Sequence, residues 1–126
     1  MQLDPDLRAL QEVRDSIARA KAASDSIREW DQARVDAVCK AMADAAAKAS
    51  FDLARLAVEE TGIGRVHYKV LKNLFGSEGT WDSIRDEKTV GIIARDERKG
   101  LVEVAAPSGV VACIIPTTNP TSTAMF

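Results

Sequence analysis

The sequence has almost no net charge. Its 17 Lys and Arg residues against 19 Asp and Glu leave −2 over 126 residues. That balance gives no electrostatic grip on a nucleic-acid backbone or an anionic membrane surface. No uninterrupted apolar run approaches the ~20 residues that span a bilayer. The opening "MQLDPDLRAL" is acidic and has no basic segment followed by an apolar one, so no secretory signal is read. Of the 2 cysteines, Cys39 and Cys113, neither belongs to a disulfide framework or a metal-spaced pair. The 1 histidine, His67, has no cysteine or acidic partner in register, so no metal site and no catalytic role is read for it. Both standard phosphate fingerprints, G-x-G-x-x-G and G-x-x-x-x-G-K-[ST], are missing. These absences point to a reducing, cytoplasmic setting, with no nucleic acid and no membrane as partner.

What is present is ordinary in total and uneven in distribution. Hydrophobic residues make up 46% and charged residues 29%, the profile of a soluble globular chain with one modest core. Yet from Leu101 to Phe126 only Glu103 is charged. A segment so poor in charge is expected to be buried.

Periodicity divides the chain. Leu3, Leu7, Leu10, Arg14 and Ile17, reinforced by Val13, step as a helix that opens at Asp4-Pro5. It is expected to run to about Ala23 and to break at Ser24-Asp25-Ser26. A longer helix after Trp30 follows from Val38, Met42, Ala45, Ala49, Leu53, Leu56 and Ala57. The alanines of "CKAMADAAAKAS" favour it. Thr61-Gly62 should end it, with Gly62 as a left-handed C-cap. Val66, Val70 and Leu74, with His67, Leu71 and Phe75, make a third helix that Gly76 and Gly79 weaken before Trp81. Beyond it, Thr89–Arg95 and Leu101–Pro107 read as the strands of a hairpin across the turn "DERKG". "VVACII" (Val110–Ile115) has the pattern of a strand buried on both faces of a parallel sheet.

The stretch "PTTNPTST" then suits a loop and a helix start. Asn119 fits an N-cap and Pro120 the first helical position. In open α/β sheets, ligands bind beyond the carboxyl ends of the strands. Thr117, Thr118 and Asn119 would offer hydroxyl and amide groups there. By itself this pattern is met equally by a capped junction with no ligand.

The residues say more when taken together. "PSGVVACIIPTTNPTSTAMF", with "LARLAVEETGIGRVHYKVLKN" and "KTVGIIARDERKGLVEVAAPSGV" in the same order, resembles the aldehyde dehydrogenase superfamily. The Thr-Thr-Asn-Pro-Thr loop resembles its CoA-acylating branch: the acetylating acetaldehyde dehydrogenases and the aldehyde half of bifunctional aldehyde–alcohol dehydrogenases. The resemblance covers the chain after about Ile27. It implies an α/β fold in three parts. Residues 1–81 are the N-terminal helices, 88–107 the hairpin of a bridging, oligomerisation element, and 109–126 the first strand, loop and helix start of a Rossmann-type NAD-binding domain. It also implies that the chain is an N-terminal part of a longer, homo-oligomeric enzyme, and that alone it is inactive as a dehydrogenase.

The implied chemistry is oxidation of a small aldehyde with NAD and coenzyme A, through a cysteine thioester, to acyl-CoA and NADH. The nucleophile is expected beyond residue 126, because neither cysteine here matches it. Cys39 and Cys113 are instead expected to be packed in the interior, and Glu59-Glu60 to be a solvated helix face. By resemblance, Ile115, Pro116, Thr117 and Thr118 border NAD. Asn119 is a candidate oxyanion donor, since ordinary family members use an asparagine in this loop. Aligned on Pro116, however, their asparagine falls at Thr118, and a capping role accounts for Asn119 equally. The competing reading for the whole chain is a non-catalytic oligomerisation or interaction module built from its helices and hairpin.

Overall fold

Asp4 is extended (φ −61°, ψ 150°) and Pro5 opens helix α1 (Pro5–Ile27), where a missing N–H orphans nothing. The structure is a computed structural model and describes residues 4–126; Leu3, expected on the apolar row of this helix, lies outside them. The serines do not stop the helix as expected. Ser26 Oγ donates to the Ala23 carbonyl at 2.8 Å, and Asp25 faces Lys21 at 3.9 Å. The polar side chains are thus satisfied inside the helix, which runs four residues further. Leu7, Leu10, Val13 and Ile17 form one exposed face of it.

The chain folds as two compact units. The first contains α1 and an antiparallel hairpin of β1 (Gly91–Asp96) and β2 (Leu101–Ala105). Ile92 pairs with Val104 and Ala94 with Glu103, so Ile93 is an extra residue that bulges the strand. Asp96 Oδ1 accepts the Lys99 backbone N–H at 3.0 Å and organises the turn. Strand β1 lies one to two residues beyond the expected segment, while β2 begins at Leu101 as expected and ends at Ala105 instead of Pro107.

The second unit runs from Gln32 to Glu87 and from Cys113 to Phe126. Instead of one long helix there are two, α2 (Gln32–Lys48) and α3 (Ser50–Thr61), divided at Ala49. Ala49 has φ −86° and ψ 0°, outside the helical region. Gly62 ends α3 at φ 67°, and its N–H bonds to the Val58 carbonyl, as the C-cap pattern requires. Helix α4 (Val66–Leu74) then continues through a π-helical turn (Phe75–Gly79) into α5 (Thr80–Ile84). The glycines at 76 and 79 therefore widen the helix instead of ending it, and Thr80 Oγ1 bonds to the Phe75 carbonyl at 3.1 Å. Helix α6 (Pro120–Met125) starts where Asn119-Pro120 predicts. Helix α3 packs on α4 and buries Ala54 and Ala57, whose small side chains let backbones approach closely.

Three expectations of burial fail together. Cys39 and Cys113 are exposed, not packed inside. The charge-poor segment is open as well, Ile114 being 97% exposed. Residues 110–115 form no strand, because the two strands among the described residues pair only with each other. A strand's backbone groups need a neighbour, and these have none.

Gly76 has a role that only the packing reveals. A Cβ on it would stand 2.9 Å from the Ser122 carbonyl oxygen of α6. Gly→Ala in an open helix gains roughly 1 kcal/mol, whereas overpacking costs about 1–3 kcal/mol. Gly76→Ala is therefore expected to destabilise the protein, read as a lower denaturant midpoint with an unchanged m-value. A raised midpoint would contradict the close approach.

Candidate functional site

Helix α4 reads "VHYKVLKNL", and three of its polar residues, Lys69, Lys72 and Asn73, sit at i, i+3 and i+4. That spacing places them on one face. Lys69 and Lys72 reach the loop before α6, and Asn73 reaches the first turn of α6. Lys69 Nζ donates to the Thr118 carbonyl at 2.9 Å. Lys72 Nζ donates to Asn119 Oδ1 at 2.8 Å. Asn73 Oδ1 accepts from Thr121 Oγ1 at 2.7 Å, while its Nδ2 donates to the Ser50 carbonyl at 2.9 Å. The loop closes on itself through the Asn119 N–H and the Pro116 carbonyl, 3.2 Å apart.

Burial shows which contacts matter for stability. Asn73 is 1% exposed and Lys69 5%. A buried ammonium is costly unless it is hydrogen-bonded, and the Thr118 carbonyl dipole supplies that bond. The salt bridges among the described residues involve neither Lys69 nor Lys72. Both cations are thus committed to the loop.

The carboxamide of Asn119 does not cap α6: no side-chain cap bond is made. A lysine ammonium only donates, so the atom facing it must be the oxygen. The Nδ2 end of Asn119 makes no hydrogen bond among the described residues, and neither do the hydroxyls of Thr117 and Thr118. Ile115, Pro116, Thr117 and Thr118 are all exposed, and Asn119 is half-buried. A fixed turn therefore presents two hydroxyls and one amide N–H₂, groups suited to sugar hydroxyls, a carboxamide or a developing oxyanion. Beside it lies an open groove of about 440 Å³, lined by Leu71, Lys72, Phe75, Asn119, Ser122 and Phe126.

His67 is exposed and lies against Tyr68, ring centres 4.0 Å apart. Glu59 and Glu60 are exposed, and Glu59 pairs with Arg55 at 2.7 Å. Among the described residues no group of three or more His, Cys, Asp or Glu could hold a metal ion. None of the described helices is long and apolar enough to cross a membrane. Sequence reasoning missed Lys69, Lys72 and Asn73. The available signal was that Lys69, Lys72 and Asn73 share one face of α4 at helical spacing.

No protein-family model matches the chain. Individual proteins do. It is 44% identical over 110 residues to the bifunctional aldehyde-alcohol dehydrogenase AdhE of Escherichia coli, covering 87% of this chain and 12% of that protein. It is 39% identical over 113 residues to the succinate-semialdehyde dehydrogenase (acetylating) of Clostridium kluyveri, covering 90% of this chain and 25% of that protein. Among solved structures, an acetylating aldehyde dehydrogenase from Geobacillus thermoglucosidasius matches with a TM-score of 0.95 and 49% identity, over 99% of this chain and 28% of that one. The chain is thus related in sequence and fold to the aldehyde dehydrogenases. Two of these three are named as acetylating enzymes, and the chain spans between about an eighth and somewhat over a quarter of the length of the proteins it matches.

Removing the Asn73 side chain would leave the Ser50 carbonyl and the Thr121 hydroxyl without their partners. Asn73→Ala is expected to destabilise the protein by roughly 2–4 kcal/mol. Chemical denaturation measures this, and a loss under about 0.5 kcal/mol, the level of an ordinary surface change, would contradict the account.

Proposed function

We propose that the native polypeptide carrying this sequence is a CoA-acylating, NAD-dependent aldehyde dehydrogenase. The observation that carries the reading is its relationship to acylating aldehyde dehydrogenases over nearly the whole chain. In balance, aldehyde, NAD⁺ and coenzyme A give acyl-CoA, NADH and a proton. NAD supplies the hydride acceptor. A cysteine outside residues 1–126 supplies the thiolate that becomes the thioester, and CoA takes up the acyl group.

This chain's share of the work is the loop. Ile115, Pro116, Thr117 and Thr118 border the cofactor, and the unbonded hydroxyls of Thr117 and Thr118 fit contact with its sugar. Asn119 donates from Nδ2 to the oxyanion that forms when the thiolate adds to the aldehyde. Its lack of a capping bond supports that role over the structural one. Residues 109–126 open a Rossmann-type domain, in which 110–115 gain a ladder from neighbouring parallel strands. The exposure of Ile114 fits a segment that such a sheet covers. The hairpin at 88–107 is the bridging element of a homo-oligomer. The setting is cytoplasmic, and the substrate is a small aldehyde, acetaldehyde being the first to try.

The test is an assay of the native polypeptide with acetaldehyde and NAD, with and without coenzyme A. NADH formation that requires coenzyme A and yields acetyl-CoA is expected. NADH with free acid as product, at equal rate without coenzyme A, would overturn the acylating assignment.

A further inference from the structure

We infer that Lys72 is a positioning residue that aims the Asn119 carboxamide for oxyanion stabilisation. The inference rests on the reading of Asn119 as the donor. An asparagine amide has two ends of similar shape, and only one of them donates. Turned the wrong way, Asn119 would present an oxygen to a forming alkoxide and repel it. Lys72 removes that ambiguity. Its ammonium can meet only the oxygen, and it does so at 2.8 Å. The Nδ2 end is thereby the end left over.

The contact is charge-assisted, the stronger class of hydrogen bond. It also draws electron density toward Oδ1, which makes the Nδ2 hydrogens better donors. Lys72 itself is held by its helix. The next residue, Asn73, is locked between Ser50 and Thr121, and Lys69 one turn earlier pins the Thr118 carbonyl. The backbone on both sides of the Lys72–Asn119 contact is therefore fixed. A supporting shell of this kind is what a donor needs to stay within the narrow geometry that catalysis requires. Lys72 is exposed and has no acidic partner to compete for it among the described residues.

Four variants of the native polypeptide test this: Lys72→Met, Lys72→Arg, Asn119→Ala and the double variant Lys72→Met with Asn119→Ala. Circular dichroism and melting first establish that each is folded. Asn119→Ala is expected to lower kcat about 100-fold or more, as loss of one oxyanion donor does. Lys72→Met should lower kcat at least about tenfold with the KM for NAD unchanged, and Lys72→Arg should restore most of it. The double variant should be no slower than Asn119→Ala, because Lys72 acts through that side chain. If Asn119→Ala leaves kcat intact, the donor reading fails and takes the inference with it. If Asn119→Ala is slow but Lys72→Met is within about twofold of the parent, only the inference fails. Losses that multiply in the double variant would also overturn it.

Discussion

The Asn73 carboxamide lies almost fully buried between the start of α3 and the first turn of α6, and both of its ends are used. Leaving either end unpaired would cost roughly 1–3 kcal/mol. The amide therefore fixes how α3, α4 and α6 stand within their unit. A helix of six residues is not stable alone, so α6 exists because it docks. The loop before it inherits that constraint, and Lys69 and Lys72 tighten it from the same face of α4. Gly76 completes the arrangement by letting the Ser122 carbonyl come close to the π-helical turn.

The consequence is a turn tied to α4 at Thr118 and Asn119 and open in its remaining side-chain groups. The Thr118 carbonyl is held by Lys69 and the Asn119 N–H by the Pro116 carbonyl, while the Thr117 and Thr118 hydroxyls and the Asn119 N–H₂ make no hydrogen bond among the described residues. Preorganised donors are effective because they need no rearrangement when charge develops.

Local chemistry was legible in the sequence wherever it was decided locally. The helix start at Asp4-Pro5, the left-handed cap at Gly62, the hairpin and the start of α6 at Pro120 all follow from residue type and spacing. The kinship with aldehyde dehydrogenases was legible too, since the loop "PTTNPTST" lies in an ordered series of segments. What was not legible depended on contacts distant in sequence. Lys69 and Thr118 are 49 positions apart, and Asn73 and Thr121 are 48 apart. No periodicity announces such pairs. Ser24 to Ser26 misled because their side chains found partners inside the helix. Cys39, Cys113 and the 110–115 segment misled for another reason. Their apolar pattern suggested burial, whereas both cysteines are exposed and Ile114 is 97% exposed.

Helix α4 holds the loop and α6 in place through Lys69, Lys72 and Asn73. Amide hydrogen exchange in the native polypeptide tests it most directly. The Thr123 N–H bonds to the Asn119 carbonyl at 3.2 Å, and the Leu53 N–H of α3 bonds to the Ala49 carbonyl at 3.0 Å. If α6 is docked through Asn73, the Thr123 amide should be protected to about the same degree as that of Leu53. Exchange of Thr123 at the rate of an unfolded chain, with Leu53 still protected, would contradict the account.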